Sequence, residues 1–309
     1  MKIAFWGTPD FAVPILKKLI NSKHEILFVV TQPDKPVGRK QILTPPPVKS
    51  LALENNLKIF QPEKVSTSDF LSEYKKYEID LNLIVAFGQI LPDEIIYHPK
   101  YHSINIHASL LPKYRGASPI NWAIINGDSE TGITYQFIEK KLDAGDIIYQ
   151  EKIKIESSDT SITLSEKLSQ LSSETVLKVI DMIETQNYKR IKQDEANATY
   201  VKILKKEDGK LNFNEPAINI FNKIRGLLPW PVAYCVFNEK LLKIFKAEII
   251  NLNSGKPGEI IDIIKGKGFV VKAGIDALLI YEVQLESGKR MDAFSFAIGQ
   301  KNFKGKFLQ

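Results

Sequence analysis

The stretch SINIHASLLPKYRGASPIN, residues 103–121, combines an apolar strand with a polar end. Residues two apart in a strand face the same side, so Asn105 and His107 are expected to point together. Ile104 and Ile106 then occupy the opposite face. A Pro-Lys-Tyr-Arg-Gly turn follows the strand. Because ligands in open α/β sheets gather beyond the carboxyl ends of the strands, this pattern predicts a binding or catalytic site there.

The amide of Asn105 and the imidazole of His107 suit the stabilisation of negative charge on an oxygen. An amide N–H can hold a carbonyl oxygen that becomes an oxyanion, and an imidazole can donate to it or move protons. A nearby carboxylate would stabilise the imidazolium. The loop KLDAGD, residues 141–146, offers Asp143 and Asp146, and the spacing does not choose between them. The alternative is a turn-capping asparagine beside an ordinary half-buried histidine.

Strands that alternate with helices over about the first 190 residues predict an α/β fold with an open, mainly parallel, Rossmann-like sheet. Two alternating segments, 133–138 and 147–155, predict an antiparallel pair at the edge of that sheet. The proline-rich stretch 31–49 has no regular period and predicts a long exposed loop. Further strands are predicted at 2–7, 25–32, 57–60, 81–88 and 103–108, and helices at 11–20, 68–77 and 161–184.

The chain is predicted to contain two domains joined by a polar segment. Residues 1–188 would form the first domain, 189–206 the linker and 207–309 the second domain. Short strands separated by Gly, Pro and Asn turns predict a small OB-like β-barrel in the last part. Residues 206–309 carry an excess of five positive charges, whereas the first 205 residues carry an excess of one. This surplus suits a polyanionic partner such as RNA or, equally, simple surface solubility.

Composition limits the classes of function. The N-terminal MKIAFWGTPDF is too polar for a signal peptide and no later run approaches membrane-spanning length, so a cytoplasmic protein without membrane contact is expected. Cys235 is the only cysteine, which excludes an internal disulfide and a thiolate metal cluster. The histidines lack ligand spacing, so no metal is expected. The turn G-T-P-D lacks the G-x-G-x-x-G fingerprint, so no nucleotide cofactor is expected.

NIHASLLPKYRGASPI and LDAGD resemble the signature of the 10-formyltetrahydrofolate-dependent formyltransferases, the first through Asn-x-His and Ser-Leu-Leu-Pro. The resemblance implies transfer of a formyl group, with 10-formyltetrahydrofolate as the co-substrate. It implies Asn105, His107 and Asp143 as the catalytic residues, and so selects the first of the two aspartates. No residue would need to become acylated.

The same resemblance implies contacts with the folate. Ser-Leu-Leu-Pro matches the family segment that contacts the folate, and VAFGQILP, residues 85–92, resembles the stretch that lines the pterin pocket. The alternative for the second stretch is a buried strand that ends in a glycine turn. The residues implied in folate binding are Phe87, Gly88, Ile90, Leu91, Ser109, Leu110, Leu111 and Pro112.

Three more stretches resemble the members of the family that act on methionyl-tRNA. They are GTPDFA at 7–12, TQPDKPVGRK at 31–40 and LPWPVAY at 228–234. The resemblance implies initiator methionyl-tRNA as the partner of a monomeric enzyme, with the loop 31–49 at the acceptor end and Arg39 as its key arginine. The residues implied in binding the tRNA or its methionine are Thr8, Pro9, Asp10, Phe11, Lys35, Arg39 and Lys40.

The sequence departs from the family pattern at two places, and other activities compete with the implied one. Lys141 stands where glycine is usual before Leu-Asp, and a positive φ would strain a lysine there. Asn212-Phe213 replaces a common Asp-Trp pair. An amino-sugar nucleotide formyltransferase or a 10-formyltetrahydrofolate hydrolase would need no RNA surface, and an inactive RNA-binding module would need no catalytic residues. Arg225 is a candidate RNA or domain-interface contact.

Overall fold

The computed structural model describes residues 1–38 and 41–309, without the side chain of Val37. The chain forms two compact units, each built from separate stretches of sequence. The first unit contains Met1–Gly116, Thr131–Ile153 and Ser165–Tyr200. The second unit contains Ala117–Glu130, Lys154–Leu164 and Val201–Gln309. In the described ranges, no helix is both long and apolar enough to span a bilayer.

The described residues form strands and helices, with three short 3-10 turns among them. The strands are β1 Lys2–Gly7, β2 Glu25–Val30, β3 Lys35–Val37, β4 Ile42–Thr44, β5 Ile59–Phe60, β6 Leu81–Val85, β7 Ser103–His107, β8 Arg115–Gly116, β9 Glu130–Phe137, β10 Ile147–Lys154, β11 Tyr200–Val201, β12 Ala233–Phe237, β13 Lys240–Ile250, β14 Ile260–Ile264, β15 Gly268–Lys272, β16 Ala277–Leu285 and β17 Met291–Asp292. The helices are α1 Val13–Ile20, α2 Pro47–Glu54, α3 Ser68–Tyr74, α4 Asp93–Ile96, α5 Pro119–Ile125, α6 Ser161–Glu184, α7 Ala217–Gly226 and α8 Ala293–Ile298.

A seven-stranded sheet in the order β10-β9-β7-β6-β1-β2-β5 forms the centre of the first unit. The pairs from β5 through β2, β1 and β6 to β7 are parallel, whereas β9 runs antiparallel to β7. β10 lies beside β9 at the edge, and the N–H of Phe137 donates to the carbonyl of Asp146 where the two strands diverge. The mainly parallel Rossmann-like sheet and its edge pair are therefore confirmed.

A buried amide fixes the register of the central strands. The side chain of Asn82 on β6 is fully buried, and its Nδ2 donates to Tyr74 Oη at 2.8 Å and to Ser103 Oγ at 2.9 Å. Its Oδ1 accepts from Trp6 Nε1 at 3.0 Å. Because buried polar groups are costly unless they are paired, these bonds favour one alignment of β1, β6 and β7. The carboxyl ends of the three strands consequently meet at one edge of the sheet.

The stretch 31–49 is not the irregular loop that its prolines predict. β3 and β4 form a two-stranded hairpin, and α2 begins at Pro47. Proline at the first position of a helix costs nothing, because the N–H of that position has no partner within the helix. Pro36 lies in the short hairpin rather than in a central strand, where its missing N–H would break a ladder. The predicted long exposed loop therefore contains a short hairpin and the start of a helix, while residues 41–45 are exposed as expected.

The second unit contains the predicted antiparallel β-domain. Its strands follow the order β12-β13-β16-β15-β14, with β17 beside β16. The segment 306–309 bonds to both edges of this sheet: Ile260 N–H donates to Lys306 O, and Val236 N–H donates to Gln309 O. The two edge strands are thus joined, as a small barrel requires. The helices α7 and α8 were missed, because short strands dominate the pattern around them.

Candidate active site

The end of β7 carries the two polar side chains that the sequence singled out. Asn105 pairs with Ile84 on β6 and with Gln136 on β9, and His107 pairs with Thr134 on β9. Alternation along the strand puts Asn105 and His107 on the same face. Within residues 1–38 and 41–309, the side-chain amide of Asn105 has no hydrogen-bond partner, whereas that of Gln136 is bonded at both its oxygen and its nitrogen. The Asn105 amide is therefore available to a ligand.

His107 is oriented by the turn that follows its strand. The residue is 6% exposed, and Nε2 lies 2.8 Å from the main-chain oxygen of Tyr114. A carbonyl oxygen only accepts, so Nε2 carries a proton and donates it. The other ring nitrogen, Nδ1, lies 3.8 Å from Oδ1 of Asp143. A proton on Nδ1 would place the imidazolium charge directly opposite this carboxylate.

Asp143 is held at both carboxylate oxygens. Gly116 N–H donates to Oδ2 at 2.8 Å, and Gln136 Nε2 donates to Oδ1 at 3.1 Å. The backbone of Asp143 is in the left-handed region, with φ +49°. Asp146, by contrast, contributes its main-chain oxygen to the edge of the sheet. Of the two aspartates, Asp143 is the one that the structure brings to His107.

Lys141 does not carry the strain that its position in the loop suggested. The left-handed residue of the loop is Asp143, and the lysine is not among the residues with positive φ. The Lys141 ammonium donates to Glu195 Oε2 at 2.5 Å. The replacement of the usual glycine therefore adds an ion pair to the loop without forcing an unfavourable backbone conformation.

The Ser-Leu-Leu-Pro segment is fixed by side chains from the edge strands. Ser109 Oγ donates to Lys113 O at 2.7 Å, which closes the turn, and Ser109 O accepts from Thr134 Oγ1 at 2.6 Å. Leu111 lies between two such partners: its N–H donates to Thr134 Oγ1, and its carbonyl accepts from Gln150 Nε2. Leu110 and Pro112 are half-buried. Thr134 was missed as a residue that holds this turn, although alternation along ITYQ on β9 places its hydroxyl on the same face as Gln136.

The side chains of the stretch that resembles the pterin pocket differ in how far they are buried. Phe87 and Leu91 are buried in the hydrophobic core of the first unit, whereas the side chain of Ile90 is 90% exposed. Gly88 has φ +89°, a conformation that favours glycine whatever the space around it. The main-chain oxygen of Phe87 accepts from Thr8 Oγ1 at 3.1 Å. The loop therefore offers main-chain groups and Ile90 to a ligand more readily than the two buried side chains.

The residues implied in binding tRNA lie in two places. Thr8 follows β1 and Gln32 follows β2, and the N–H of Gln32 donates to Thr8 Oγ1 at 3.3 Å. This bond connects the carboxyl ends of the two strands. Lys35 is exposed on β3. Arg39 and Lys40 lie outside the described residues. Of the others, Pro9 and Asp10 are exposed and Phe11 is half-buried.

The base of the hairpin is held by an ion pair. The Lys49 ammonium donates to both carboxylate oxygens of Asp34 at 2.8 Å, and Gln61 Nε2 donates to Asp34 Oδ1 at 2.8 Å. The bonds from Gln61 and then Lys49 lower the pKa of Asp34. Beyond this base, Ile42 and Leu43 are mostly exposed on β4. The charge of Lys49 is thus neutralised locally, whereas Lys35 remains at the surface.

Comparison with known proteins gives consistent matches along the chain. Residues 1–180 match the formyl transferase family, and residues 203–301 match the formyl transferase C-terminal domain. Methionyl-tRNA formyltransferase from Staphylococcus epidermidis strain ATCC 12228 is 46% identical over 99% of both chains. The corresponding enzyme from Staphylococcus aureus strain MW2 is 44% identical over 97% of both chains.

Solved structures show the same fold. A sugar 3N-formyl transferase, crystallised in the presence of dTDP and 5-N-formyl-THF, is 26% identical with a TM-score of 0.69, covering 91% of this chain and 97% of that one. HypX from Aquifex aeolicus in complex with tetrahydrofolic acid is 16% identical with a TM-score of 0.67, covering 100% and 50%. In the described ranges, no three His, Cys, Asp or Glu side chains gather as metal ligands. The chain belongs to the formyl transferase family.

Proposed function

We propose that the protein transfers the formyl group of 10-formyltetrahydrofolate to the α-amino group of methionine esterified to initiator tRNA, giving N-formylmethionyl-tRNA. The observation that carries this proposal is the 44–46% identity to methionyl-tRNA formyltransferases over 97–99% of the chain. The identity extends through both matched domains, so it includes the region beyond the formyl transfer site.

The amide of Asn105 and the imidazole of His107 would stabilise the oxygen of the formyl group. Attack by the neutral amine makes the formyl carbon tetrahedral and places negative charge on this oxygen. The amide of Asn105 has donors to offer. Because Nε2 of His107 already donates to Tyr114 O, the donor from His107 to the formyl oxygen would be Nδ1–H. Donors that are fixed before the reaction cost no reorganisation in the transition state, and removing one typically lowers the rate about 10²–10³-fold.

Asp143 would balance the charge on His107 and take part in the movement of the proton. A bond forms between the methionine nitrogen and the formyl carbon, and the bond from that carbon to N10 of the folate breaks. The methionine nitrogen loses a proton and N10 gains one, so no net proton is consumed. Asp143 lies 3.8 Å from His107 Nδ1, which suits it to accept this proton directly or through water.

The folate and the tRNA would occupy the segments that resemble those of the family. The folate would lie against the turn Ser109–Pro112, whose main chain is held by Thr134 and Gln150, and against the loop with Gly88 and the exposed Ile90. The hairpin would meet the acceptor end through Lys35 and Arg39, and the basic C-terminal part would bind the body of the tRNA. We propose that residues 1–188 form the catalytic domain, 189–206 the linker and 207–309 the tRNA-binding domain. We also propose that the protein acts as a monomer in the cytoplasm.

Purified protein mixed with labelled formyl-folate and charged initiator tRNA tests the assignment. Formyl-methionyl-tRNA should accumulate in proportion to the enzyme. Label transferred to an amino-sugar nucleotide instead would support the activity named for the sugar 3N-formyl transferase. Label that appears only as formate would indicate a hydrolase, and unconsumed donor would indicate an inactive RNA-binding protein.

A further inference from the structure

An amide from the segment between the two family matches reaches the loop of Asp143. Gln193 is 5% exposed, and its Nε2 lies 2.9 Å from the main-chain oxygen of Asp143 and 2.8 Å from that of Gly145. Gln136 Oε1, at 3.0 Å, is a third acceptor for the same nitrogen. Since an amide nitrogen has only two protons, these acceptors share them. Gln193 thus holds the loop at its main chain, on both sides of Ala144.

A buried arginine fixes the other end of this amide. Gln193 Oε1 accepts from Arg115 Nε at 3.0 Å and from the terminal nitrogen NH2 of Arg115 at 2.9 Å. The guanidinium is fully buried and also donates to Glu195 Oε1 and Tyr200 Oη, each at 2.9 Å. The N–H of Arg115 donates to Thr199 O at 2.8 Å. Because a guanidinium only donates, it can face only the oxygen of the amide, so the nitrogen of Gln193 must face the loop.

The two neighbours of Arg115 in the chain contact the proposed catalytic residues. Tyr114 O accepts from His107 Nε2, and Gly116 N–H donates to Asp143 Oδ2. The side chain of Arg115 and its flanking main chain therefore belong to one hydrogen-bonded frame. Asp143 is a non-glycine residue in the left-handed region, and such a conformation persists only where the surroundings hold it.

We infer that Gln193 is a positioning residue for formyl transfer: its amide sets the main chain of the Asp143 loop so that the carboxylate faces His107. This inference rests on the proposed function. The side chain of Gln193 bonds to Arg115, to Gln136 and to the main chain of the Asp143 loop, none of which is assigned to the folate or the tRNA, so it acts through Asp143. Neither family match includes it, since the matches end at residue 180 and resume at residue 203.

The substitution Gln193→Glu separates the two ends of the amide. A carboxylate still accepts from Arg115, but it cannot donate to the main-chain oxygens of Asp143 and Gly145. We expect kcat to fall about 10–100-fold, because small displacements of a catalytic group have effects of this order. The KM values for the folate and for methionyl-tRNA should change less than about threefold, since no binding contact is removed.

Asn222→Asp is the matched control. Asn222 Oδ1 accepts from the buried Arg225 at 3.0 Å in the second unit, so this change also gives a buried arginine a carboxylate partner. We expect kcat to stay within about twofold of the unmodified protein. An equal loss of kcat in both variants would overturn the inference, because it would reflect the introduced charge alone.

A double-mutant cycle distinguishes positioning from a general effect on the fold. In the Asp143→Asn background, Gln193→Glu should lower kcat by less than about threefold, because the group through which it acts is gone. If Gln193→Glu lowered kcat by the same factor in both backgrounds, or left kcat unchanged as a single variant, the inference would be contradicted. Should Gln193→Glu fail to fold, Gln193→Asn takes its place with the same expectations, since the shorter amide cannot reach both Arg115 and the loop.

Amide hydrogen exchange tests the inference independently of the reaction. Exchange across residues 138–146 should be at least about tenfold faster in Gln193→Glu than in the unmodified protein, and unchanged in Asn222→Asp. Unchanged exchange in Gln193→Glu would overturn the role of the amide even if kcat fell. If the unmodified protein formylates no methionyl-tRNA, the proposed function fails, and the exchange result still decides what Gln193 does to the loop.

Discussion

Each of the two units buries an arginine, and the two arginines have different surroundings. Arg115 in the first unit donates to the side chains of Gln193, Glu195 and Tyr200. Arg225 in the second unit is 9% exposed and donates to the main-chain oxygens of Glu156 and Asp159 and to Asn222 Oδ1. The comparison shows that burial of an arginine does not by itself reveal its role.

The difference lies in what each guanidinium holds. The partners of Arg115 continue through Gln193 to the main chain of Asp143, so a change there is transmitted to the site. Arg225 fastens the segment 156–159 to α7 within the second unit. Arg225 was a candidate for an RNA contact or a domain-interface contact, and its guanidinium is bonded to groups within its own unit. We therefore expect variants of the first network to change the rate and variants of the second to change stability alone.

The largest effect on kcat is expected at Asp143, where the hydrogen-bond network of Arg115 ends. Asp143→Asn should lower kcat about 10²–10⁴-fold, because the amide removes the charge opposite His107 and cannot accept a proton. Its nitrogen would also face a donor, either Gly116 N–H or Gln136 Nε2. Steady-state formylation of methionyl-tRNA measures this loss. If Asp143→Asn kept more than about a tenth of the original kcat, the carboxylate would have no essential part in the mechanism.

The direct comparison replaces each arginine by methionine. Arg115→Met should lower the free energy of unfolding by about 1–3 kcal/mol, because it leaves the buried Oε1 of Gln193 without a donor. Arg225→Met should cost about 1–3 kcal/mol, since it leaves main-chain oxygens unpaired. Urea unfolding measures both values. Only Arg115→Met should lower kcat per folded molecule. An equal loss of kcat in Arg225→Met would show that the two arginines do not differ in their effect on the site.

Arg39 extends the comparison to an arginine proposed to act on RNA. Arg39→Ala should raise the KM for methionyl-tRNA and reduce the slope of log KM against log salt by about 1, as expected for one lost phosphate contact. The KM for the folate should not change. Measurement at several salt concentrations tests this, with Lys18→Ala on α1 as a control of equal charge. An unchanged salt slope would exclude a phosphate contact by Arg39.

The smallest effect is expected in the acid stability of the first network. Arg115, and then Lys141, lower the pKa of Glu195 from 4.5 to about 2. A lowered pKa means that the ionised form is stabilised by folding, so this contribution is present above pH 4.5 and is lost as the pH falls toward 2. Glu195→Gln should lower Tm by no more than about 2 °C at pH 6. The difference should vanish near pH 2; a constant difference would show that the ion pair is not its cause.

The central sheet and the polar end of β7 could be predicted, because strand periodicity is local. Asn105 and His107 follow from alternation along five residues. The choice of Asp143 needed the resemblance to known formyltransferases, because the spacing of KLDAGD suits either aspartate. Its proximity to His107 depends on the pairing of β7 with β9, which the local pattern does not specify.

Gln193 could not be predicted, for a physical reason. It lies 50 residues from Asp143 in a polar stretch, and polar composition is typical of exposed connecting segments. Only the folded chain shows that its amide is buried and fully paired. The helix α2 was missed for a local reason, because three consecutive prolines at 45–47 indicate a break, yet the last of them starts the helix.

The turn after β7 serves both His107 and Asp143 through residues only two apart, Tyr114 and Gly116. Both residues have positive φ, at 62° and 101°. An insertion or deletion of a single amino acid here would misplace an imidazole and a carboxylate at the same time. We therefore expect insertions and deletions to be tolerated only in other parts of the molecule.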